Sequence, residues 1–339
     1  MKPGRACAVI SASLHPANLP EKPKVSWLQW EVWTAVSACR RWGGSRRCNT
    51  ELGVGVGFGL GGQQNGFTIE LSASGQKGIE NGTSLSNQNS HITASDRLNI
   101  NSGGDTTLTG AVLNGGRVQA NVGGNLTISS VQDTATYDSK DTRGGINVSI
   151  CVPPICAGQV VAGNANLSQQ ILKNNYASVN EQSGINAGDG GYHIIVKDHT
   201  QLDGAVIASQ APADKNTLET GTLGWRDIAN VSDYQGSGYS VSVSTNSVPT
   251  GGLALSQGDD KGTTAAAVSP GMITITDAAH QQQDVATLSR DTDHANGKVS
   301  DGFDQGKIAD RLELQREAVA LSVQTMGAVQ SRLKADKEN

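Results

Sequence analysis

Between Ile92 and Val131 apolar and small polar residues alternate in short runs, and paired glycines separate the runs. Leu98 and Ile100 open the pattern, followed by Leu108 and Val112, then Val118, Ala120 and Val122, then Leu126 and Ile128. Side chains of an extended chain point to alternate faces, so each run has one apolar face and one face of Thr, Asn and Ser. The breaks recur as well. Gly103-Gly104-Asp105 returns as Gly123-Gly124-Asn125, a step of about 20 residues, within the range of solenoid repeats. Short strands, tight turns and no intervening helix predict an all-β fold, a right-handed parallel β-helix. In it each coil stacks on the last and the inward residues make one continuous core.

The flanks extend this prediction. Glycine alternates with Val, Phe and Leu from Gly53 to Gly61, and Phe67, Ile69 and Leu71 alternate with polar residues, which reads as a strand pair. Ser72–Asn89 reads as a polar loop. Ile146, Val148 and Ile150 predict another strand, and Ser168–Val179 a short helix or a loop strand. A looser copy of the first block follows: Ile185–Asp189 echoes Ile92–Asp96, and Leu202–Val206 echoes Leu108–Val112. Ser240–Ser244 takes the part of Asn147–Ile150. Residues 51–246 are therefore expected to form one β-helix.

Residues 247–270, rich in Gly, Ser, Thr, Ala and Asp, read as a flexible linker. Residues 271–302 read as a last strand, Met272–Thr276, with a polar loop. Ile308, Leu312, Val319, Val323, Met326, Val329 and Leu333 then recur at helical spacing. Residues 303–335 are accordingly expected to form a C-terminal amphipathic α-helix, capped by Asp304, that covers the last coil or packs on a partner helix.

Residues 1–50 have a different composition. Trp27, Trp30, Trp33 and Trp42 leave only Trp225 for the rest of the chain, and Cys7, Cys39 and Cys48 fall here too. The spacing of Cys39 and Cys48 fits no zinc pattern. Arg5–Leu14 has a basic residue and a short apolar patch, but serines interrupt it and no cleavage site follows, so it does not read as a signal peptide. The segment reads as an unstructured or mis-assigned start.

Composition supports the thin core of a solenoid. The 339 residues include 42 Gly but only three Phe and three Met, too few for a thick globular interior. A net charge of −5 with a pI near 5.7 provides no concentrated basic face, which argues against nucleic acid. No apolar run approaches the roughly 18–20 residues of a membrane span.

Candidate chemistry is sparse. Cys151 and Cys156 flank a double-proline turn, an arrangement that favours a structural disulfide over free buried thiols. Redox sites usually have two residues between the cysteines, not four. The Gly53–Gly62 run lacks the Lys-Ser/Thr of a phosphate loop. Gly103-Gly104-Asp105 and Gly188-Asp189-Gly190-Gly191 lack the tandem nonapeptide spacing of calcium β-rolls, so they read as turns. Asp105, Asp189, Asp198 and Asp203 form no acid pair with a base, and His193 and His199 share a strand face without a third ligand. No catalytic residue, metal or cofactor is expected.

Several stretches carry a resemblance: Asp105–Val112, Val122–Ser139, Cys151–Cys156, Asn175–Gly191, Gly204–Ser209, Asn216–Trp225 and Asp284–Gly297. In this order they resemble the C-terminal haemagglutinin-repeat region of filamentous haemagglutinins and contact-dependent growth inhibition effectors of Gram-negative bacteria. The resemblance implies a secreted, cell-surface filament exported by two-partner secretion, acting in adhesion or toxin delivery. It implies three partners: a receptor or glycan on a neighbouring cell, an outer-membrane transporter engaged through an N-terminal region absent here, and a C-terminal toxin domain likewise absent. It carries over no catalytic residues. The chain thus reads as a fragment whose exposed end coils should make it poorly soluble or self-associating. The alternatives are a carbohydrate-active β-helix enzyme using Asp105 or Asp203, or a gene remnant without function.

Overall fold

The computed structural model describes residues 38–59, 64–158, 160–245 and 248–338. Two kinds of strand alternate along the chain and go to two different sheets. β1 (Ala38–Gly59) and β2 (Gln64–Ser86) form a long antiparallel hairpin. Two short passes follow and lie parallel on one another: β3 (Ser90–Ser102) with β4 (Thr106–Thr109), then β5 (Ala111–Val122) with β6 (Leu126–Ser129). A second hairpin is made by β7 (Asp133–Gly158) and β8 (Val161–Ser178). The parallel stack resumes with β9 (Gly184–Ala187) and β10 (Tyr192–Asp203), then β11 (Val206–Ser209) and β12 (Thr217–Arg226). The third hairpin is β13 (Ile228–Ser244) with β14 (Thr250–Thr264), and β15 (Ala267–Val268) with β16 (Met272–Ile275) make another parallel pass. One helix, α1 (Gln305–Glu338), follows.

The passes build columns of apolar side chains. Ile92 lies beside Leu113, Leu113 beside Ile185, Ile185 beside Ile207, and Ile207 beside Val268. A second column runs Ile100, Ala120, Ile194, Leu218, Ile273, and a third runs Leu108, Ile128, Leu202, Trp225. Each of the first four passes adds one residue to every column and the fifth adds to two of them, so the columns merge into a single buried core. The internal echo seen in the sequence is this stacking: Ile92 and Ile185 share one column, Leu108 and Leu202 another. Gly110 and Gly204 follow these leucines with φ of 60° and 52°, a turn geometry that costs an L side chain energy.

Half of the expected β-helix lies elsewhere. β2, β7, β8 and β13 pair antiparallel in a six-stranded hairpin sheet ordered β1-β2-β7-β8-β13-β14. The reason is length. A run of 26 residues such as β7, followed by a tight turn and a further strand, finds its partner in its own neighbour, whereas the parallel passes are built from sides of only 2 to 13 residues. Four local readings change with it. Ser72–Asn89 belongs mostly to β2, Ser168–Val179 mostly to β8, and Ala38–Thr50 to β1. Thr250–Thr264, inside the expected linker, is β14, and its small residues serve packing, since a Cβ at Gly252 would collide with the Arg316 backbone of α1. Residues 1–37, with Cys7 and three of the tryptophans, lie outside the described residues.

Asp304 caps α1, accepting the Lys307 N–H at 3.1 Å. That N–H and the Lys307 ammonium hold the Asp304 carboxyl below the usual carboxylate range. Among its described side chains, the expected apolar stripe is used at its start. Ile308 and Leu312 pack on Leu172 and Ala254, whereas Val319, Met326 and Val329 are exposed.

Beyond β16 the stack ends in side chains. Gln281 accepts the Leu223 N–H and donates to the Leu223 carbonyl, both at 2.8 Å; Gln283 does the same for Trp225 at 2.8 and 3.0 Å. Two carboxamides thus occupy the backbone positions that a next strand would take, and they blunt an edge that invites pairing. Changing both to alanine is expected to speed amide exchange at Leu223 and Trp225 by about tenfold or more without altering exchange in β5. Unchanged exchange would mean the edge is closed by something else.

Candidate interaction surface

The hairpin sheet is fixed to the stack by a seam of amides and hydroxyls. Asn230, 2% exposed, accepts the Val179 N–H at 3.0 Å and donates to Thr264 Oγ1 at 2.8 Å and the Gly297 carbonyl at 2.9 Å. Gln132 reaches Asn230 Oδ1 at 3.1 Å and the Ala229 carbonyl at 2.8 Å. Ser130 donates to the Gly204 carbonyl at 2.6 Å and accepts the Ser183 N–H at 2.8 Å. Where each hairpin leaves the stack, the backbone loses its ladder partners, and these side chains replace them.

The two faces of the sheet differ in chemistry. One face carries α1 near the stack and Ser and Asn further out, where Asn147 donates to Asn164 at 2.9 Å. The other face is apolar in its outer part. Residues directly opposite in an antiparallel pair point to the same side. Ile146 therefore shares that face with Ala73 and Ala165, and with Val243 one strand on. Leu167 shares it with Gly144 and Val241. Leu253 and Leu255 of β14 stand 75% and 69% exposed, and Ile146 56%. Beside them Gly75, Gly144, Ala73 and Ala165 leave a shallow hollow of about 540 Å³. Towards the stack the same face becomes polar: a groove of about 810 Å³ lined by Asp138, Lys173, Asn175, Asp233, Gln235 and Gln257.

The sequence-predicted polar residues are dispersed by the fold. Asp105 accepts the Asn125 N–H at 2.7 Å, and Asn125 in turn accepts the His199 N–H at 3.1 Å, so both act in stacked turns. His199 bonds Thr222 at 2.7 Å and His193 bonds Thr217 at 2.6 Å, each to the neighbouring pass. Asp189 offers its carbonyl to Lys215, and Asp198 uses its N–H on the Gly124 carbonyl. Among the described residues no group of three His, Cys, Asp or Glu has a metal-holding arrangement. Cys151 is buried and disulfide-bonded, and the side chain of Cys156 lies outside the described residues.

Asp203 is a heavily engaged carboxylate. It takes two bonds from Arg226, at 2.7 and 3.0 Å, and further bonds from Gln201 at 2.8 Å and Ser129 at 3.1 Å. Burial pushes its pKa up, but these hydrogen bonds and the guanidinium charge outweigh it, and the net shift is downward. Its stabilising effect is therefore complete above the ordinary carboxylate value of about 4 and is lost as pH falls through the lowered value of the folded chain. Asp203→Asn is expected to reduce stability at neutral pH and to flatten the acid limb of a plot of urea midpoint against pH. An unchanged limb would show that another carboxylate dominates it. Tyr192 shows the opposite case: burial pushes its phenol up to about 12, and its hydroxyl donates to the Ser269 carbonyl at 3.2 Å.

Stacked passes with a thin aliphatic core, and hairpins set to one side, define a repeat protein rather than a pocketed globule. The Hemagglutinin repeat family matches residues 45–145. Toxin CdiA of Escherichia coli is 38% identical over 334 residues, covering 92% of this chain and 10% of its own length. The tRNA nuclease CdiA of Yersinia mollaretii is 39% identical over 85% of this chain, and the deoxyribonuclease CdiA of Dickeya dadantii 39% over 82%. The chain therefore carries a haemagglutinin-repeat region similar to a segment of these CdiA proteins. It spans about a tenth of the length of these curated relatives. No solved structure matches it. Among the described residues no helix is long and apolar enough to cross a membrane.

Proposed function

We propose that this chain is a rigid repeat segment of an exported contact-dependent growth inhibition protein, and that it acts in adhesion or toxin delivery as structure, not as catalyst. Its passes are read as coils of a right-handed parallel β-helix whose hairpins present a lateral sheet for contacts. The observation that carries the reading is the set of apolar columns, in which successive passes contribute equivalent residues such as Ile92, Leu113, Ile185 and Ile207. The roles of Asp105 and Asp203 in turn and salt bridge support a structural rather than a catalytic use. The relatives' names, toxin and nuclease, describe whole proteins of which this segment corresponds to a small part. The partners on this reading are an outer-membrane transporter, a receptor or glycan on a neighbouring cell, and a toxin domain carried by the same polypeptide.

The test is replacement. Substituting this chain for the corresponding region of the Escherichia coli relative should preserve both surface export and inhibition of neighbouring cells, while deletion of the region should abolish inhibition. Loss of neither on deletion would refute the role. Depolymerisation of a polysaccharide by the purified chain, abolished in Asp203→Asn, would replace this reading with an enzymatic one. Cys156 is the proposed partner of Cys151, because the register sets Cys151 opposite Thr68 and Cys156 opposite Gly66, with the intervening residues bulged out. Peptide mapping without reduction should recover the two cysteines in one linked fragment.

A further inference from the structure

We propose that a second copy of this chain covers the apolar face of the hairpin sheet, the two sheets packing face to face about a two-fold axis. This inference rests on the exposed face itself and is independent of the exported-scaffold reading.

Area is the first argument. Nine large aliphatic side chains on this face, from Ile150 at 37% to Leu253 at 75%, remain exposed. They present on the order of 800 Å², about what one partner buries in a standard interface and more than a monomer normally leaves to water. Helix α1 does not cover them, since it is committed to the opposite face through Leu172 and Ala254. That opposite face is Ser and Asn in its outer part and suits water. The sheet is therefore amphipathic with its apolar side outward, the reverse of what a free surface requires.

Shape selects the occupant. The hollow floored by Gly75 and Gly144 is low because glycine and alanine stand there, while Leu253 and Leu255 on β14 stand highest. Gly144 on β7 and the ridge on β14 are separated by three strand spacings, about 14 Å. A two-fold axis that lies between the sheets, along the strands and over the β8–β13 boundary, lays β14 of each copy over β7 of the other, with Leu253 opposite Thr142 at the margin of the hollow. Leu167 of each copy then meets Val241 of the other near the axis. Such reciprocity is what an isologous interface demands, and alignment of the strands is the usual geometry of stacked sheets. A helix would fill the hollow but leave the ridge uncovered. Lys77 and Lys140 border the apolar area and form a polar rim.

Sedimentation velocity on the full chain tests this, with Ile146→Lys/Val241→Lys as the first variant. Both positions are exposed, so circular dichroism, and the thermal midpoint at concentrations where the chain is monomeric, should be unchanged. The wild-type chain should sediment as a dimer, and the double variant should raise the dimer dissociation constant by about 100-fold or more. Leu255→Lys alone should weaken association in the same direction. If the wild type precipitates, recovery of a soluble monomer by the double variant supports the face, and equal precipitation of the variant overturns it. A wild-type monomer at every concentration, or a dimer that persists in the double variant through the β3 edge, overturns the proposal. So does a monomer that floats with vesicles of phosphatidylethanolamine and phosphatidylglycerol, which would assign the face to lipid.

Discussion

Replacing Asn230 by alanine is expected to lower the free energy of unfolding by about 3 kcal/mol. The carboxamide is 2% exposed and fully used, accepting from Val179 and Gln132 and donating to Thr264 and Gly297. Truncation leaves the Val179 N–H and the Gly297 carbonyl buried without partners, and each such orphan costs about 1–3 kcal/mol. The bonds also join four separate segments: the end of β8, the corner before β7, the end of β14 and the loop after β16. Their loss should loosen the junction between stack and sheet before either part unfolds. Urea denaturation gives the magnitude, and hydrogen exchange should show β13 and β14 opening ahead of β10. A loss under about 1 kcal/mol would mean that water enters the seam and takes over the bonds.

Two isoleucines in equally alternating runs should respond in opposite ways. Ile194→Ala is expected to cost about 3–4 kcal/mol, because the side chain is wholly buried between Ala120 and Leu218 and its removal leaves a cavity in a column that cannot collapse without moving two passes. Ile146→Ala, 56% exposed, should change stability by about 0.5 kcal/mol or less when measured at concentrations where the chain is monomeric. Urea midpoints on the two single variants make the comparison. Equal losses would mean that the hairpin sheet is covered within one chain.

These two residues mark the limit of what alternation conveys. Ile146, Val148 and Ile150 have the same pattern as Val118, Ala120 and Val122, and period-two hydrophobicity identifies both as strands with one apolar face. It does not say what that face meets. The glycine echo at Gly103 and Gly123 was a reliable guide to parallel stacking, because turns that recur at one spacing force equivalent residues into one column. Hairpin strands have no such recurrence. Their pairing follows from strand length and the turn between them, and a run of small polar residues such as Thr250–Thr264 has no apolar signal to announce it. The α1 stripe misled for a related reason: helical spacing was legible from Ile308 onward, but among the described side chains Ile308 and Leu312 have a neighbouring surface to pack on while Val319, Met326 and Val329 do not.

The candidate polar residues follow the same rule. That Asp105 stands in a turn was evident from its glycine neighbours. That Asp203 is held by Arg226 was not, since the two are brought together only by the pairing of β10 with β12. Gln281, Gln283 and Asn230 gave no signal at all, because an amide in a polar loop looks the same whether it faces water or stands in for a missing strand.

By itself, then, the amino-acid order determined the alternating strands of the parallel passes, their tight turns, the thin aliphatic core and the kind of repeat they resemble. All of these are local or periodic properties, written in side-chain alternation and glycine spacing. Only the tertiary structure decided which strands stack in parallel and which turn back as hairpins, which amides close the edges and the seam, and which apolar face stays open. Those outcomes depend on contacts between residues far apart in the chain, where the free energy of pairing is set by what the rest of the fold brings alongside.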